Sequence, residues 1–147
     1  MENEKYYTPE LEEFYIGFEY EVWESVGYSK EHWTKKVHTI KNENGSYTSD
    51  LTLIDDGCNK ARVKYLDQED IESFGFDLGQ CTKDGYYFIK GTMLTKHEWV
   101  LTFGGKTNPE NYLSICDMNE ALGNCFTGTV KNKSELKKIL SMLGIEV

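Results

Sequence analysis

The chain has 147 residues, 39% of them apolar and 14% aromatic, and its 25 acidic residues against 16 basic ones give a net charge of −9. A chain of this length buries roughly two-thirds of its unfolded surface, so a core can form without disulfides or a metal, and no cofactor is expected. Arg62 is the only arginine, and binding a phosphate backbone calls for a positive field and guanidinium forks, so direct nucleic-acid binding is not expected.

In chain order, residues 13–23 alternate, with Phe14, Ile16, Phe18, Tyr20 and Val22 on one face and Glu13, Tyr15, Gly17, Glu19, Glu21 and Trp23 on the other. Period two predicts a strand. Residues 33–40 are lysine-rich and β-branched and suit a second strand, its lysines set against the glutamates of the first. Residues 42–45 read as a turn, and 51–54 and 61–66 as two strands joined across the turn formers of 55–59. A short helix follows: Asp67 is the N-cap with Asp70 three residues on, Ile71 and Phe74 share a face, and Gly75 supplies a left-handed end.

Residues 86–94 and 98–103 form a predicted hairpin, 104–111 a turn region containing Asn108-Pro109, and 112–118 and 125–130 the last strands. The final element is an amphipathic helix capped by Asn132, with Glu135 completing a capping box. Leu136, Ile139, Leu140 and Leu143 form its apolar stripe, and Gly144 ends it. The sum is an α+β chain, a mainly antiparallel, curled β-sheet with a short central helix and a C-terminal helix, with residues 1–147 as a single domain.

Motifs for catalysis and metals are missing. Gly104-Gly105-Lys106-Thr107 has the end of a phosphate loop, but Val100 stands where its first glycine belongs, so a glycine turn explains it. Cys58, Cys81, Cys116 and Cys125 make no Cys-x-x-Cys, and His32, His38 and His97 no metal motif. No Gly-x-Ser-x-Gly elbow occurs, so catalytic residues are unknown and no metal site is expected. The opening Met1-Glu2-Asn3-Glu4-Lys5 has the wrong chemistry for a signal peptide, so none is expected, and no apolar run approaches the length of a membrane span. A cytoplasmic setting with free, inert thiols is expected, with no membrane partner.

One surface stands out. Tyr15, Glu19, Glu21 and Trp23 would project together from the first strand, with Gly17 leaving room for a ligand or another backbone. As acids crossed by neighbouring lysines, they are an ordinary strand face. As Tyr and Trp rimmed by carboxylates, they make a protein-binding patch. Glu19 and Glu21, about 7 Å apart along a strand, are a remoter candidate for an acid–base pair.

Three segments carry a resemblance: Tyr7-Thr8-Pro9-Glu10 leading to Gly17-Phe18-Glu19-Tyr20-Glu21; Arg62-Val63-Lys64-Tyr65-Leu66-Asp67 leading to Asp70-Ile71-Glu72-Ser73; and residues 131–138 leading to Leu143-Gly144-Ile145. Together they resemble small uncharacterised proteins of Bacteroidetes and their tailed phages. The resemblance implies no functional residue. It implies a context, that of an accessory binder modulating host or defence machinery. The expectation is therefore a non-enzymatic protein with an unidentified protein partner. The alternatives are a small-ligand or nucleotide-binding domain with hydrolytic activity, and an acidic mimic of nucleic acid.

Overall fold

The structure is a computed structural model that describes residues 5–24, 32–39, 60–82, 85–91, 96–104, 111–119 and 124–147. It divides into two compact units, Met1–Tyr65 and Leu66–Val147. The strand expected at 51–54 and the turns at 42–45 and 55–59 lie outside the described residues.

In the first unit, β1 (Tyr6–Tyr7), β2 (Glu19–Glu24), β3 (His32–Val37) and β4 (Ala61–Lys64) form a sheet of order β1-β4-β2-β3. Every pairing in it is antiparallel. Its inner face carries Phe18, Tyr20, Val22, Ala61 and Val63, all buried, with Tyr7, Phe14 and Tyr15 packed against them.

The first strand is shorter than residues 13–23. Leu11–Glu13 is a 3-10 turn, closed where the Glu13 carboxylate accepts from the Glu10 amide at 2.8 Å and from the Tyr7 hydroxyl at 2.9 Å. Gly17 then reverses the chain at φ 89° and donates its amide to the His38 carbonyl at 2.8 Å. A positive φ is inexpensive only for glycine, so the polar bonds around Glu13 and the turn at Gly17 interrupt the alternation that the side chains alone suggest. Ile16, expected inside, is 62% exposed on that turn.

The second unit opens with α1 (Gln68–Glu72), followed by β5 (Asp77–Thr82), β6 (Gly85–Gly91), β7 (Glu98–Phe103), β8 (Tyr112–Asp117) and β9 (Asn124–Thr129). These strands pair in sequence order as an antiparallel meander, and α2 (Lys133–Met142) follows. Asp67 and Asp70 cap α1 reciprocally, and Gly75 takes φ 80° beyond its end. At α2, the Asn132 side chain accepts from the Glu135 amide at 2.9 Å. The Glu135 carboxylate accepts from the Lys131 amide at 2.7 Å.

Leu136 and Leu140 of α2 and Ile71 of α1 are wholly buried with Phe88, Leu101, Leu113 and Ile115 from the sheet. Each such side chain contributes about 1.5–3 kcal/mol through burial, which explains why this short helix forms against the sheet. Lys90 of β6 ties the ends together, its ammonium donating to the carbonyls of Phe74, at 2.7 Å, and Glu146. The strand β5 was not anticipated. Five of its six residues are exposed, and its register slips between Leu78 and Gln80, at Gly79. It is an edge strand defined by pairing and not by an apolar pattern.

The protein is therefore α+β with mainly antiparallel sheet and a C-terminal helix. Among the described residues no helix is long and apolar enough to cross a membrane.

Candidate functional site

The register of the first unit decides which side chains share its outer face. Glu21 is opposite Lys35 on β3 and Arg62 on β4, Trp23 is opposite Trp33, and Glu19 is opposite Val37. Lys64, two residues from Arg62, pairs with Tyr6 of β1. Opposed residues lie on the same side of a sheet, so Tyr6, Glu19, Glu21, Trp23, Trp33, Lys35, Val37, Arg62 and Lys64 share one surface.

Arg62 organises it. Its Nε–H donates to Oε2 of Glu21 at 2.7 Å, and its guanidinium carbon lies 3.8 Å from the centre of the Tyr6 ring and 4.0 Å from that of Trp33. The cation is thus layered between two aromatic rings and oriented by a carboxylate, a geometry that a planar guanidinium can adopt and an ammonium cannot. The Trp23 and Trp33 rings meet edge to face, 5.2 Å between centroids. With the Arg62 side chain 28% exposed and that of Glu21 17% exposed, the cluster is half-buried and still presents area outward.

Of the four residues expected on this face, Glu19, Glu21 and Trp23 lie there, with Glu19 exposed. Tyr15 does not. It sits before the turn at Gly17 and packs edge to face on Phe18, 5.6 Å between ring centres, against the inner core. Gly17 belongs to the turn and leaves no gap in the strand face. Lys35 stands opposite Glu21 as the pattern implies, but the ion pair to Glu21 comes from Arg62 on the other side. Sequence reasoning missed Tyr6, Trp33 and Arg62 as members. The available signal was the alternation Ala61, Arg62, Val63, Lys64, which sets the sole arginine opposite the buried positions.

The second unit holds a separate polar constellation. His97 Nδ1 lies 2.6 Å from Oδ2 of Asp117, and Oδ1 of Asp117 accepts from the amides of Glu98 at 3.2 Å and Asn119 at 3.1 Å. Asp117 is 5% exposed. Burial pushes its pKa up, but the hydrogen bonds from His97 and the two amides, with the charge of the imidazole, outweigh that and hold it below the ordinary 3.8. The His97 ring stacks on Trp99 at 5.3 Å. A buried carboxylate fixing a histidine through Nδ1 is the orienting half of an acid–base device. Among the described residues no group of three or more His, Cys, Asp or Glu side chains could hold a metal ion. His38 is 9% exposed in the first unit, its ring 6.0 Å from Phe14, and takes no part in either constellation.

Compared with models of protein families, with curated proteins and with solved structures, the chain matches none.

Proposed function

We propose that this protein is a non-enzymatic accessory binder whose partner is another protein, engaged through the outer face of the first unit's sheet. The observation that carries this reading is the layered group Tyr6, Arg62 and Trp33, fastened by Glu21 and extended by Trp23. Binding energy at protein interfaces concentrates in Trp, Tyr and Arg. Side chains already held in place lose less rotamer freedom on association, which strengthens binding without further contacts. The resemblance to phage and Bacteroidetes proteins adds a context, a cytoplasmic modulator of host or defence machinery.

The test is a comparison of variants against host lysate with quantitative mass spectrometry. Wild type, Trp23→Ala, Trp33→Ala and Glu19→Lys would be immobilised beside Met142→Lys, a control on the 70% exposed Met142 of the second unit. A protein held by wild type and the control and lost with either tryptophan variant supports the proposal. Equal retention by all five removes this face from the function.

A second reading, a small-ligand or nucleotide site with hydrolytic capacity, is favoured by the His97–Asp117 pair. Thermal-shift screening with nucleotides, sugars and metal ions tests it, because a ligand at about a hundred times its Kd adds about 2.7 kcal/mol of stability. A ligand whose shift disappears in His97→Ala supports that reading, and a flat screen rejects it.

A further inference from the structure

Two cysteines that the sequence separates by nine positions are brought side by side by the pairing of β8 and β9. Ile115 is paired with Phe126, and both belong to the second unit's core, Ile115 wholly buried and Phe126 packed against it. Side chains alternate along a strand, so Cys116 and Cys125, each one residue away from that pair, both turn to the opposite face. The register then shifts: the Cα partner of Cys116 is Asn124. Cys125 is therefore the extra residue of a bulge, and Cys116 is opposed by Asn124 and Cys125 together. Both cysteines are half-buried, and neither is in a disulfide.

From this juxtaposition we propose that Cys116 and Cys125 are a modification site, a cross-strand dithiol that a peroxide converts into an intramolecular disulfide.

The chemistry is balanced within the pair and its oxidant. One thiolate attacks a peroxide oxygen, forming a sulfenic acid and releasing water or an alcohol. The second thiol attacks that sulfur, an S–S bond forms, and hydroxide leaves as water. The two sulfurs lose two electrons in total and the peroxide O–O bond gains them.

Same-face neighbours across a sheet have Cβ atoms about 4.5–5.5 Å apart, and a disulfide needs about 3.5–4.5 Å. The strands must close by about an ångström, a movement available at a bulge on β9, the last strand of its sheet.

The surroundings of Cys116 set the character of the couple. Burial pushes its thiol pKa up, and the neighbouring Cys125 and Asp117 push it further, while the thiol donates to the Val100 carbonyl at 3.7 Å. Little thiolate means slow attack on the oxidant at neutral pH.

The experiment uses the full-length reduced protein, exposed to hydrogen peroxide, alkylated and digested with trypsin. The peptide from Thr107 to Lys131 contains both cysteines and no internal lysine or arginine, so the bridge registers as loss of two hydrogens together with loss of both alkyl groups on one peptide. The proposal expects this species to accumulate, faster as pH is raised by about tenfold per unit while the thiol remains protonated, and to return to the alkylatable form with dithiothreitol. Cys81→Ser should leave it unchanged, and Cys116→Ser should abolish it. Three results overturn the proposal: Cys116 and Cys125 staying alkylatable while the exposed Cys81 oxidises, either one going singly to sulfinic acid, or either one bridging to Cys58 or Cys81. The wild-type peptide map alone decides among these, so poor folding of a variant does not blunt the test.

Discussion

Arg62 and Glu21 are direct neighbours across β4 and β2, and the arginine Nε–H donates to the glutamate Oε2 at 2.7 Å. The bond orients the guanidinium, whose carbon lies 3.8 Å from the centre of the Tyr6 ring and 4.0 Å from that of Trp33. The expected cost of Arg62→Ala is about 1–2 kcal/mol, below the full value of a charged hydrogen bond because the pair is partly solvated. Arg62→Lys should recover less than half of it, since an ammonium cannot lie flat between rings. Urea unfolding of the single variants and of the double variant with Glu21→Gln measures the coupling, and additive losses would show that the pair does not act as a unit.

Asp117 makes the second unit sensitive to acid. Its carboxyl titrates below 3.8 in the folded protein, so the folded state binds fewer protons there than the unfolded chain. Its contribution is complete above 3.8 and is lost as pH falls through the folded value. Asp117→Asn should be less stable than wild type near neutrality and lose less on acidification through that window. Denaturant midpoints across a pH series check this, and parallel curves for the two proteins would count against it.

Gly85 takes φ 135°, and a Cβ there would lie 2.8 Å from the Phe103 carbonyl oxygen and 2.9 Å from that of Gly104. Both obstacles are backbone, so neither can rotate away. Gly85→Ala should cost about 1–3 kcal/mol, the range for backbone strain of this kind. At Gly144, also at positive φ but with nothing within 4 Å of a Cβ, alanine should cost less. Thermal melts of the two variants side by side separate close approach from conformational strain alone.

Asn132 is 1% exposed and its side chain accepts from the first turn of α2. Asn132→Ala should cost about 1–2 kcal/mol, the upper part of the range for a cap because the position is buried. Asn132→Asp should retain most of the stability. Equal loss in both variants, read by denaturant unfolding, would point to packing and not to the capping bond.

The elements legible in the sequence are those whose signals are local. The caps at Asp67 and Asn132 and the stops at Gly75 and Gly144 depend on residues three or four positions apart, and the structure places each of them. The alternation from Phe18 to Trp23 likewise separates the buried residues of β2 from the outward Glu21 and Trp23. The same alternation misleads further upstream, where Glu13 takes the Glu10 amide and Gly17 turns the chain, so that Tyr15 joins the core. Nothing in a period-two pattern reports hydrogen bonds made outside it.

The class of chain, the helices and the inner and outer faces of single strands follow from local sequence, because propensity, capping and alternation act between near neighbours. The partners across strands come from the fold. Arg62 meets Glu21 forty-one residues away, His97 meets Asp117, and Cys116 and Cys125 come to one face through a bulge, because register depends on how whole strands bury their apolar sides against each other. Among the described residues, each constellation with chemical promise depends on such long-range pairing.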